Sequence, residues 1–185
     1  MFTKGSDYYS PLHYIKRFIW SILYLVFFRP SPRLAYGWRN MILRILGAKI
    51  GKSVKIFPSV KITYPWNLEI DDESIISWNV QIYNLGKITI GKATIISQNA
   101  HICAGNHNYQ VPEFTLLMPP IHIGSQVWIA ADAFIGPGIE IKDFAVIGAR
   151  AVVVRNVELG NVVGGNPAKV LKMRDLTHFN TQYGG

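Results

Sequence analysis

The chain has 185 residues, nearly half of them apolar, a net charge of +8 and a single cysteine, Cys103. That length suits one domain with a core that needs no metal or disulfide staple, and one cysteine excludes an internal bridge, so a cytoplasmic location is expected. The basicity is local: residues 1–61 hold eleven Lys and Arg against Asp7 alone, whereas residues 62–185 hold eight against ten acids.

Residues 1–49 read as a helical, basic segment. Between Arg17 and Arg29 lies "FIWSILYLVFF", shorter than the about 20 apolar residues a membrane-crossing helix needs and followed by no small-residue cleavage site. Two uses stay open. The segment could cover one end of the core, or lie apolar side down on an anionic membrane surface, at the inner face of the membrane, with Lys16, Arg17, Arg29, Arg33, Arg39 and Arg44 around it. Nucleic acid is not an expected partner, because aromatic residues mixed with basic ones recur in any amphipathic helix.

A repeat occupies residues 50–168. Aliphatic anchors recur every six residues at Ile50, Ile56 and Ile62, again at Ile70, Ile76 and Ile82, and again at Ile90, Ile96 and Ile102; from Ile123 they run unbroken to Val153 and Leu159. The step between the early triplets is eight, so three steps make one coil with two extra residues at a corner. Four residues after most anchors stands a small or β-branched residue, from Val54 to Val157, with Ile139 the bulkier member. Residues two apart in a strand share a face, so this position and the next anchor both point inward. Gly51, Gly91, Gly124, Gly136, Gly148 and Gly160 directly follow anchors, where a sharp corner would call for positive φ. The pattern predicts an all-β fold, a triangular parallel β-helix.

The excursion at 103–121 breaks this rhythm, and "ICAGNHNYQVPEF" places a histidine in it. Long departures from a regular scaffold are usually functional or disordered. Tyr109, Val111, Phe114, Leu116, Leu117, Met118 and Pro119-Pro120 give this one the composition of an ordered arm, expected to pack on a neighbouring subunit. Residues 169–185 follow the repeat as a basic tail.

Through "YPWNLEI", "GNHNY", "VWIAADAFIGPGIEI" and "GGNPAKVLK", the chain resembles the hexapeptide-repeat acyltransferases over roughly residues 50–170, in the branch of galactoside and maltose acetyltransferases and colanic-acid-type polysaccharide O-acetyltransferases. The resemblance implies a left-handed β-helix, contrary to the usual right-handed crossover, a homotrimer with sites between subunits, and acetyl transfer from acetyl-CoA to a sugar hydroxyl without a metal.

Such a transfer needs a base to take the hydroxyl proton, a task suited to histidine. The match carries this role to His107, although Asn106 intervenes after Gly105. Its orienting partner stays open between Glu113 and a backbone carbonyl. The same match implies coenzyme contacts at Trp128, Ala131, Ala149, Pro167, Lys169 and Lys172, with Arg174 as a further phosphate ligand. For the sugar, the outward side chains of the preceding coil are candidates, among them Trp78, Asn79, Tyr83 and Asn84; the match sets Asn84 close to the family's sugar-contacting carboxylate, with an amide in its place. Cys103 as an acyl-carrying nucleophile competes with its reading as a small residue beside an inward anchor. Two rival functions remain: a zinc carbonic anhydrase using His101, His107 and His122, or a non-catalytic scaffold.

Overall fold

The computed structural model describes residues 9–177 and 179. Its body is a left-handed parallel β-helix with three faces. Face A stacks Lys49–Ile50, Leu68–Ile70, Ile88–Ile90, Ile121–Ile123 and Glu140–Ile141. Face B stacks Lys55–Ile56, Ile75–Ile76, Ile95–Ile96, Trp128–Ile129, Val146–Ile147 and Asn161–Gly164. Face C stacks Lys61–Ile62, Gln81–Tyr83, His101–Cys103, Phe134–Ile135 and Val152–Val153.

The strands are short because each coil turns after one inward pair. The in-register pairings put Ile50, Ile70, Ile90, Ile123 and Ile141 in one internal column; faces B and C carry equivalent columns, and all are buried. The small residues expected beside them are buried as well. Ser74 and Thr94 fit because their hydroxyls donate to the Gly91 and Gly124 carbonyls, each at 2.7 Å, which satisfies polar groups that burial would otherwise penalise. The last expected anchor is out of phase. Leu159 is half-exposed, and Val157, two residues earlier, bridges Ile141 and fills the column.

The post-anchor glycines have a different cause from the one expected. Only Gly160 among them has positive φ. The left-handed position is instead the third after the anchor, held by Ser53, Glu73, Asn79, Ala93, Asn99, Gln126, Asp132, Phe144 and Arg150. At Gly91 the constraint is contact between coils: a Cβ would lie 2.6 Å from the Gly124 carbonyl carbon and the Ser125 nitrogen.

Two helices close the N-terminal end: α1 (Pro11–Leu23), continued by a π-helical turn at Tyr24–Phe28, and α2 (Tyr36–Ile45). The first coil has no coil before it, so its carbonyls form an open edge that must be covered. Trp20 Nε1 donates to Ile62 O (2.8 Å), Arg39 Nε to Ile56 O (2.7 Å), Asn40 Nδ2 to Val54 O (2.8 Å), and Arg44 to Ile50 O (2.8 and 3.0 Å). Arg39 is fully buried, and Ser31, Pro32 and Arg33 supply its remaining acceptors. The segment therefore covers one end of the core. At the other end, Lys169–Met173, expected as tail, forms a strand antiparallel to Asn161–Gly164.

Candidate active site

The extra residues fall at one corner. The steps from face C to face A carry the 3-10 turn Pro65–Asn67, then residues 84–87, then the excursion. Because Ile123 pairs in register with Ile90, the excursion leaves the stack without disturbing it. It is a β-hairpin: Asn106–His107 pairs antiparallel with Leu116–Leu117. Gly86 lets its return arm pass close by, since a Cβ there would meet Pro119 O at 2.8 Å.

His107 is exposed on this hairpin, and its Nδ1 lies 2.6 Å from the carbonyl oxygen of Phe114. A carbonyl can only accept, so Nδ1 carries the proton and Nε2 of the neutral ring holds a free lone pair. The turn that presents this carbonyl is built locally. Phe114 has φ of +47°, its N–H donates to Val111 O (3.1 Å), and Asn108 N–H donates to Thr115 O (2.8 Å). Asn106 Oδ1 accepts the His107 N–H (2.8 Å). The open choice of orienting group thus falls to the backbone carbonyl.

Tyr83 and Cys103 are paired neighbours on face C below the hairpin. The Tyr83 ring covers Gly105, where a Cβ would lie 2.8 Å from Cε1. Burial is the main cause that raises the Tyr83 hydroxyl above its ordinary pKa. The Cys103 thiol points to Gly105 O at 3.4 Å.

Asn84 does not face outward. It is fully buried, accepts from Thr63 N (3.2 Å) and Tyr64 N (2.9 Å), and donates to Tyr64 O (2.5 Å). An amide can do both where a carboxylate could only accept, so Asn84 clamps the "YPW" corner in place of a direct sugar contact.

The expected coenzyme residues gather elsewhere. Trp128 is 48% exposed on face B, its indole N–H held by Ser97 Oγ at 3.0 Å. Ala131 and Ala149 stack at the B/C corner in adjacent coils, joined by Arg150 N–H to Ala131 O (2.9 Å). The segment around Pro167 extends this column: Val152 N–H donates to Gly165 O and Ala168 N–H to Val152 O, each 2.9 Å. Lys169 and Lys172 are exposed beside it. Arg174 is otherwise engaged, its Nη1 donating to Gln126 O (3.0 Å) and Phe144 O (3.1 Å), which ties the chain end to the A/B corner.

The histidines proposed for zinc are dispersed. His101 packs edge-on to Phe134 on face C, and His122 Nδ1 meets Thr89 Oγ1 at 2.8 Å on face A. No group of three His, Cys, Asp or Glu side chains able to share a metal occurs among the described residues, which counts against the carbonic anhydrase reading.

Over 160 residues the chain is 44% identical to the Escherichia coli K12 protein named "Putative colanic acid biosynthesis acetyltransferase WcaF", covering 86% of this chain and 88% of that one. The chain belongs to the hexapeptide-repeat acetyltransferases. Among solved structures it superimposes on a maltose O-acetyltransferase from Clostridium difficile 630 (TM-score 0.79, 27% identity, 90% of each chain). A galactoside acetyltransferase in complex with coenzyme A also matches, with TM-score 0.79, 25% identity and coverage of 91% of this chain and 84% of that one. No protein-family model matches the chain.

Proposed function

We propose that the protein transfers an acetyl group from acetyl-CoA to a hydroxyl of a saccharide destined for exopolysaccharide or lipopolysaccharide, with His107 as the general base. The observation that carries this reading is the 2.6 Å contact between His107 Nδ1 and Phe114 O, which leaves Nε2 as the acceptor of a proton. In the reaction Nε2 takes the hydroxyl proton as the sugar oxygen attacks the thioester carbonyl. The C–S bond then breaks, and the imidazolium returns the proton to the departing thiolate. No step calls for a metal.

The chain's surface fits the coenzyme. An exposed indole lies beside a corner of small residues, where a pantetheine arm could run along the backbone, and Lys169 and Lys172 offer cations to its phosphates. Face B lies across the triangular section from the C/A corner that carries His107. One copy's hairpin meeting another copy's face B would unite the two halves, which supports a homotrimer with shared sites. Tyr83, exposed beneath the hairpin, is assigned to the saccharide, and Asn84 shapes the corner next to it.

The test is thiol release from acetyl-CoA in the presence of saccharide acceptors. His107→Ala should lower kcat by about 10²–10⁴-fold with acetyl-CoA binding retained; turnover at the wild-type rate would refute the assignment.

A further inference from the structure

The helices that seal the first coil turn only part of their apolar surface inward. Trp20 and Phe28 are buried, but Ile15, Phe18, Ile19, Ile22, Leu25 and Val26 are exposed, Phe18 to 67% and Leu25 to 65%. Their spacing of three and four gathers them on one side of the helix. The surface continues onto α2. The Phe27 and Trp38 rings meet at 6.5 Å, Trp38 Nε1 donates to Phe27 O at 3.0 Å, and a groove of about 260 Å³ between the helices is lined by Leu23, Phe27, Trp38, Met41, Ile42 and Ile45. An apolar surface this extended marks an interaction site.

Charge selects the occupant. No Asp or Glu occurs between Asp7 and Glu69, a span holding ten Lys and Arg. Lys16, Arg17, Arg29 and Arg33 are exposed there. A second copy laid on this face would set like charges together with no carboxylate between them, whereas an anionic lipid headgroup layer complements both the cations and the apolar face. No helix among the described residues is long and apolar enough to cross a membrane, so α1 would lie along the surface.

We infer that the helical cap docks on an anionic phospholipid bilayer through the exposed face of α1 and α2. Docking does not rest on the acyl-transfer reading. It would, however, bring the hairpin toward the lipid, because Tyr9, just ahead of α1, reaches the hairpin base through its hydroxyl at 3.6 Å from Met118 Sδ.

The experiment is co-sedimentation of the full chain with vesicles of phosphatidylcholine alone or mixed with phosphatidylglycerol, at low and high salt. The wild type should partition at least about tenfold more strongly onto the anionic vesicles, less so at high salt. The variant Phe18→Ser/Ile22→Ser/Leu25→Ser should lose about tenfold or more of that partition while binding acetyl-CoA as the wild type does. Should the triple variant not fold, Arg29→Gln/Arg33→Gln decides the matter by reducing partition onto anionic vesicles. Two results would overturn the inference: binding insensitive to both variants, or wild-type protein that ignores both vesicles, which, together with a triple variant that loses self-association in sedimentation, would make the face a contact between copies.

Discussion

His107 and Phe114 are joined across the hairpin by a 2.6 Å contact from ring Nδ1 to backbone carbonyl. The imidazole is thereby fixed in one tautomer by main chain alone. Since Phe114 holds a φ of +47°, the side chain at this position governs how readily the carbonyl is presented. Phe114→Val should lower kcat by roughly tenfold, because a β-branched residue is strained at positive φ. Phe114→Gly should stay within a few-fold of wild type. Steady-state kinetics of the pair, with KM for acetyl-CoA unchanged, checks the claim.

Arg39 ties together α2, the loop after the π-helical turn and the first coil. It is fully buried, its bonds go to three backbone carbonyls and the Ser31 hydroxyl, and burial lowers its pKa. Arg39→Leu would strand those acceptors, and urea unfolding should show a loss of about 3 kcal/mol or more. Arg39→Lys should recover little of it, because a single ammonium cannot reproduce the fork.

Asn84→Asp would restore the carboxylate that the family pattern carries, yet set an oxygen against Tyr64 O, where the amide nitrogen now donates at 2.5 Å. The expected outcome is a loss of about 2–4 kcal/mol in stability at neutral pH. A variant as stable as wild type would mean that the corner rearranges and that the amide is not its clamp.

Acid should weaken the fold through His101 and His13. Burial pushes both imidazoles below their ordinary pKa, with Arg17 and Lys16 adding to the effect at His13. Below about pH 6.5 the unfolded chain therefore binds protons that the folded chain does not, and stability falls with pH. Melting temperatures measured from about pH 7.5 to about pH 5.5 should decline, and His101→Gln should flatten that decline.

Much of the fold was legible because the interior of a three-sided coil admits only an aliphatic anchor and a small partner, so Ile50 through Val153 carry the period in plain view. Leu159 misled because the last coil slips its phase, and Val157, which looked like the small partner, serves as the anchor. The glycines misled for another reason: left-handed corners are held by residues such as Asn79 and Asp132, while Gly91 is dictated by a neighbouring coil that no local pattern reveals. Arg39 and Arg44 looked like surface charge, because the backbone carbonyls they cap leave no mark in the sequence. The motif singles out His107, but the Phe114 carbonyl that meets its ring depends on a turn whose conformation has no sequence signature. Asn84 is expected outward with Tyr83, whereas its burial follows from hydrogen bonds to Thr63 and Tyr64 in the preceding coil, which no local pattern reveals.

The most direct test of the account is calorimetric titration of acetyl-CoA into chelator-treated protein, with coenzyme A alone and Trp128→Ala alongside. The account predicts metal-independent binding of about micromolar affinity, in the ordinary range for enzyme substrates, weakened about tenfold or more when the exposed indole is removed. Absence of binding, or binding indifferent to Trp128→Ala, would contradict the placing of the coenzyme along face B.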